Sequence, residues 1–231
     1  MNANETCITP EYLRQEQKRT LSTAQVDFSH LSKLLFASMD LIYGQKTTFS
    51  KMKVLELIAR CPYQAWEFRH YSKISRRYQS LTSAQDIFDD VKSVREQQDN
   101  EQWHLLFLEE IIQKKGIRQN YLLYRIIPQI MCTVYFHVAL IIALISPRSS
   151  YALNAEFESH AELTYMKFIS INKQLDNEPY EGKFSQHFPG CKSVGDIIRK
   201  IALDERHHKE ESLKKLNTGL NKHLRTIPLG D

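Results

Sequence analysis

The sequence sets two Glu-x-x-His pairs and two further glutamates inside stretches patterned as helix. Near the C-terminus, Ala202-Leu203-Asp204-Glu205-Arg206-His207-His208 lies among good helix formers, with apolar Ile197, Ile198, Ile201 and Ala202 and no breaker between Asp196 and Leu216. Residues three apart share a helix face, so Glu205 and His208 stand side by side while His207 points away. A carboxylate oxygen and an imidazole nitrogen at that spacing suit a single transition metal. Glu101 and His104, in Asn100-Glu101-Gln102-Trp103-His104, repeat the arrangement. Glu56 lies in Val54-Leu55-Glu56-Leu57-Ile58-Ala59, and Glu158 in Phe157-Glu158-Ser159-His160-Ala161.

The order Glu, Glu-x-x-His, Glu, Glu-x-x-His is the ligand pattern of di-iron carboxylate four-helix bundles. Carboxylate oxygens with one imidazole per metal suit iron or manganese better than zinc. One such pair means little by itself, and Glu67 with His70 forms a third, in the basic end of its helix, which reads as surface. The combination counts for more. Four helices each place a carboxylate in apolar surroundings, where it is costly unless it binds a metal or finds a partner.

Seven glycines, seven prolines and little Val-Thr alternation in 231 residues point to an all-α chain with one core. A net charge of +4, with no basic stripe interleaved with aromatics, argues against nucleic acid. Cys7, Cys61, Cys132 and Cys191 are widely spaced without a CxxC and read as reduced, intracellular thiols. Residues 1–20 hold Glu5, Glu11 and Glu16 and no apolar run, so they resemble neither a signal peptide nor a mitochondrial presequence.

Along the chain, residues 1–28 read as a polar arm, 29–217 as the helical bundle and 218–231 as a short tail. Helical spacing predicts an amphipathic helix over 29–43 ending at Gly44, and a longer one over 50–78 carrying Glu56 and kinked at Pro62. A polar helix continues through Glu101 and His104 to near Gly116. Residues 126–145 are the most apolar stretch, with Gln129 and His137 its clearly polar members. Their length allows a bilayer span, but a helix lying in one leaflet or a buried bundle helix fits them as well. A helix over 153–175 carries Glu158 and Tyr165, and a Pro/Gly-rich loop over 176–195 precedes the last helix.

From about Asp40 to His208 the sequence resembles the alternative oxidases, membrane-bound di-iron quinol oxidases, including their plastid relatives. Val54-Leu55-Glu56-Leu57 resembles the family's Leu-Glu-Thr motif, and Asn100-Glu101-Gln102-Trp103-His104-Leu105 its Asn-Glu-Arg-Met-His-Leu. Phe157-Glu158-Ser159-His160-Ala161 with Thr164-Tyr165 is similar to its Leu-Glu-Glu-Glu-Ala and following tyrosine. Asp204-Glu205-Arg206-His207-His208 is similar to its Asp-Glu-Ala-His-His. The resemblance implies a ferritin-like four-helix bundle with two additional membrane-facing helices, 29–43 and 126–145. It implies two iron ions held by Glu56, Glu101, His104, Glu158, Glu205 and His208. Tyr165 would be the redox-active tyrosine, Asn100 and Asp204 would support ligands, and Lys51, His160 and Thr164 would stand at substrate-pocket positions.

The expected activity is quinol oxidation with reduction of O2 to water, by a homodimer seated on a membrane surface. The face would be cytoplasmic, or that of the mitochondrial matrix in a processed eukaryotic form. A di-iron monooxygenase acting on another apolar substrate and a non-catalytic iron-binding bundle are the alternatives. The departures from the family fall outside the ligands. Ser159 and His160 stand where two glutamates are usual, Leu57 replaces Thr and Lys51 replaces Arg. The family's Tyr-Trp pair is not evident around Ser185 and Gln186.

Overall fold

Several of the helices start at a residue whose side chain caps them. The computed structural model describes residues 8–24 and 27–225, with side chains to residue 217, so Cys7 and the last residues of the tail lie outside it. Ser29 caps α2 (His30–Tyr43) and Thr48 caps α3 (Phe49–Arg77), each side chain accepting a backbone N–H three residues on. Gly44 closes α2 with φ 81°, a left-handed turn that glycine adopts without strain. Pro62 lies within α3, which continues past it. Next come α4 (Leu81–Lys114), a π-helical turn over Leu122–Ile126 leading into α5 (Ile127–Ile145), α6 (Pro147–Ile171) and α7 (Val194–Arg225). Among the described residues the only β pairing is an isolated bridge between Pro179 and Ser193. The chain is all-α.

α3 packs along α4, and α6 along α7. Met52, Leu55, Ile58, Phe107, Ile111, Met166, Ile169 and Ile198 form a continuous buried core between them. α5 lies across α3 and touches the core through a narrow stripe, Tyr135, Ala139 and Ala143, one helical turn apart. Its other side leaves Ile130, Val134, Ile141, Leu144 and Ile145 more than half exposed, and α2 adds exposed Leu34 and Leu41. Residues Leu122–Ile145 are long and apolar enough to cross a membrane.

Four details differ from the sequence reading. The polar arm contains a helix, α1 (Pro10–Ser22), whose Leu13, Glu16, Gln17 and Thr20 are buried against α6 and α7. Its polar residues are matched: Gln17 donates to the Met166 carbonyl and accepts from Arg199, and Arg206 pairs with Glu16. α6 begins at Pro147, before the expected 153, because Ser146 caps it and proline suits the first helical position. α7 runs to Arg225, beyond the expected boundary at 218. His70 is buried, 3% exposed, between Asp90 of α4 and the basic residues around it, so only Glu67 of that third pair faces outward.

Candidate metal centre

The four bundle helices each bring acidic side chains to one buried point. α3 supplies Glu56, α4 Glu101 and His104, α6 Glu158, and α7 Glu205 and His208, and none is more than 1% exposed. Their ligand atoms fall into two groups, each gathered within 4.8 Å: Glu56, Glu101, His104 and Glu205, and Glu101, Glu158, Glu205 and His208. Glu101 and Glu205 belong to both. Each group adds one histidine and one outer glutamate of its own to this shared pair, a donor set that would hold two metal ions.

The distances inside the groups are those expected between neighbouring ligands of one ion. His208 Nδ1 lies 2.8 Å from Glu101 Oε1, and His104 Nδ1 lies 3.2 Å from Glu205 Oε1. Neighbouring donors at about 2.1 Å from an octahedral ion are themselves about 3 Å apart. Both carboxylate oxygens of Glu101 and of Glu205, and His208 Nδ1, have no hydrogen-bond partner among the described residues. Such orphaned buried atoms are costly unless something absent from a protein-only structure satisfies them. Four carboxylates carry a formal −4, which two divalent cations neutralise. The residues fit the pair of iron ions.

Electrostatics follow from this crowding. Burial, then the carboxylates of Glu205, Glu56 and Glu158, pushes Glu101 well above the usual range. Burial and the neighbouring Glu205 do the same to Glu158. Burial also opposes ionisation of Glu205, but the imidazoles of His104 and His208 beside it outweigh burial and hold that carboxyl low.

Asp204, Asn100 and Tyr165 lie beside the ligand groups. His104 turns Nδ1 inward and Nε2 toward Asp204 Oδ2 at 3.3 Å, and Asp204 is itself paired with Lys200. Such a carboxylate fixes the tautomer of a ligating histidine. His208 Nε2 is 3.5 Å from the Asn100 amide, whose carbonyl end is the one an Nε2–H requires. Tyr165, 1% exposed, donates its hydroxyl to Glu56 Oε1. Phe188, from the loop before α7, stacks beside His104, and His187 stacks on Trp103 at 3.6 Å, so this side of the centre is closed by aromatic rings.

The substrate-pocket positions sit apart from the ligand groups. Lys51 Nζ donates to Asp40 Oδ1 at 2.5 Å and to the Gly44 carbonyl at 2.6 Å, joining the start of α3 to the end of α2. His160 stacks on Phe36 of α2, ring centroids 3.9 Å apart, and burial lowers its pKa to about 4, so it is neutral. Thr164 is half-buried beside Tyr165. An apolar groove of about 410 Å³ opens between α2 and α5, lined by Leu31, Leu35, Ile58, Met131, Tyr135 and Leu153.

Two residues of the centre carried no signal in the reading above. Tyr63 donates its hydroxyl to Glu158 Oε1 at 2.7 Å, and Asn154 donates to the same oxygen at 3.1 Å. The spacing holds the clue: Asn154 is one turn before Glu158, and Tyr63 is two turns after Glu56.

Comparison with known proteins agrees with this architecture. The family model described as alternative oxidase matches residues 13–214. The chloroplastic/chromoplastic ubiquinol oxidase 4 of Arabidopsis thaliana is 30% identical over 142 residues, 61% of this chain and 37% of that protein. The mitochondrial ubiquinol oxidase 2 of the same plant is 22% identical over 176 residues, 73% of this chain and 46% of that protein. The chain thus spans under half the length of each of these curated relatives. With the family model matched over most of its length, and the helical bundle that the model implies, the chain belongs to the alternative oxidase family.

Proposed function

We propose that this chain is a quinol:oxygen oxidoreductase that oxidises a membrane quinol and reduces O2 to water at a di-iron centre. The observation that carries the reading is the pair of buried ligand groups sharing Glu101 and Glu205. When bound, two iron ions supply the one- and two-electron chemistry that links quinol to O2. The protein's part is to hold the ligands, orient them and move protons. Asp204 keeps Nε2 of His104 protonated, so Nδ1 is free to ligate. Tyr165 holds a proton at its hydroxyl, on a bond to Glu56, and would pass an electron and that proton together. Aromatic closure around His104 and Trp103 excludes water from that side.

The groove between α2 and α5 supports an apolar substrate. Its floor includes Ile58, two residues from Glu56, and Tyr135, whose buried hydroxyl has no partner among the described residues. The exposed apolar sides of the same two helices support a monotopic seat in one leaflet, which opens the groove toward lipid. Family membership supports a homodimer and a respiratory role.

Oxygen uptake by purified, iron-reconstituted protein in detergent, given a short-chain quinol, tests this function. Uptake that depends on quinol and is lost in Glu101→Ala supports it. Iron-loaded protein that takes up no oxygen with quinol refutes it.

A further inference from the structure

Tyr63 and Tyr165 are related in a way the ligand pattern does not require. Glu56 and Tyr63 lie seven residues apart on α3, and Glu158 and Tyr165 lie seven residues apart on α6. Each tyrosine reaches across to the other helix's glutamate: Tyr165 donates to Glu56, and Tyr63 donates to Glu158. Glu56 is the outer carboxylate of one ligand group and Glu158 that of the other. Both phenols are at most 1% exposed. The two halves of the centre therefore present equivalent tyrosines, and beyond Tyr165 no aromatic ladder of this kind is seen among the described residues.

Beyond Tyr63 there is one. Its ring meets Trp66 edge to face at a centroid distance of 5.3 Å, and Trp66 meets Tyr151 at 4.8 Å. The Trp66 Nε1–H donates to Ser150 Oγ at 2.7 Å, which fixes the indole. Tyr151 is half-buried and ends the row at the edge of the bundle. Packing alone accounts for buried rings, but it does not place a phenol on a ligating carboxylate and continue it outward in contact distance.

We infer that Tyr63 is a second redox-active tyrosine, and that Trp66 and Tyr151 carry oxidising equivalents from it to the protein surface when quinol is lacking. The inference rests on the di-iron reading above. Tyr63 gives one electron to the iron centre oxidised by O2 and its phenolic proton to Glu158 Oε1. Trp66 then gives one electron to the Tyr63 radical, which takes its proton back from Glu158. Tyr151 reduces the indole radical cation and releases its phenolic proton to water. A one-electron reductant of the solvent, of the ascorbate or thiol class, restores Tyr151.

The test loads the full-length protein with ferrous iron anaerobically, counts the metal, and exposes it to O2 without quinol. Samples freeze-quenched at successive times are read by electron paramagnetic resonance, with ring-deuterated tyrosine or tryptophan identifying the radical. Oxygen adducts on Trp66 and Tyr151 are read by peptide mass spectrometry. We expect Tyr165→Phe to retain a radical that is lost in Tyr165→Phe/Tyr63→Phe, and Tyr63→Phe alone to lose the Trp66 and Tyr151 adducts. Trp66→Phe leaves the Tyr63–Glu158 bond untouched, so it should lengthen the life of a tyrosyl radical even if Tyr63→Phe fails to load. Radicals and adducts indifferent to both Tyr63 and Trp66 in iron-loaded protein overturn the role of Tyr63 alone. Wild-type protein that binds no iron overturns the metal centre itself, and this inference with it.

Discussion

Glu101 of α4 and Glu205 of α7 are common to both ligand groups, each within reach of both histidines' side of the centre. On the di-iron reading proposed above, their sharing ties the two groups into one centre, because neither group is complete without them. Removing either carboxylate should therefore act on both metals, whereas removing an outer glutamate should act on one.

Metal counting after reconstitution checks this. We expect two irons per chain in the wild type, about one in Glu158→Ala, and little in Glu101→Ala. Asp204→Ala leaves the ligand set intact but frees His104 to turn, and should weaken iron binding by about 10- to 100-fold. Equal iron in the wild type and Glu101→Ala would contradict the bridged arrangement.

The candidate ligands were legible because donors three residues apart share a helix face, and a carboxylate in an apolar run stands out. The all-α fold was legible too, since four helices that bring donors to one point pack naturally as a bundle. Tyr63 was not legible, because a tyrosine among apolar residues reads as packing until its hydroxyl partner on another helix is known. Nor was α1. Its Glu16, Gln17 and Thr20 look solvated by composition and are buried only because Arg199, Arg206 and Glu162, far along the chain, satisfy them. His70 was misread as surface for a similar reason, its cover coming from α4.

Arg199 anchors α1 and the loop before α7 at once. Its guanidinium, 3% exposed, bonds Asp176 through two nitrogens at 2.6 and 3.0 Å, bonds Gln17 at 2.8 Å, and lies 3.6 Å from buried Asp196. Truncation leaves a buried carboxylate without its charge partner, so Arg199→Ala should cost about 3–5 kcal/mol in urea denaturation. A loss under about 1 kcal/mol, the range of exposed pairs, would show that these contacts are solvated.

Burial lowers the His70 pKa from its usual 6.5 to about 4, so the ring is neutral in the folded protein. Above pH 6.5 it is neutral folded or unfolded and leaves stability unchanged. As pH falls from 6.5 to 4 the unfolded chain takes up the proton first, and stability drops by up to about 3 kcal/mol. His70→Gln should flatten this part of the pH profile, read from urea midpoints at pH 7, 5 and 4. Parallel profiles for variant and wild type would count against a buried neutral imidazole.

The apolar side formed by α2 and α5 should seat the protein on lipid. Leu34 is 67% exposed and Ile130 58%. Leu34→Glu/Ile130→Glu should abolish co-sedimentation with anionic vesicles while changing folding stability by no more than about 1 kcal/mol, as surface substitutions do. Undiminished vesicle binding would place the contact elsewhere.

The most direct measurement is the fate of labelled oxygen. Iron-loaded protein is given quinol under ¹⁸O2, and oxygen consumed, quinol oxidised and label in the organic product are followed together. A quinol oxidase consumes two quinols for each O2, and all of the label leaves as water. One labelled atom in the quinone, with one quinol consumed for each O2, would contradict the oxidase reading and make the same bundle a monooxygenase.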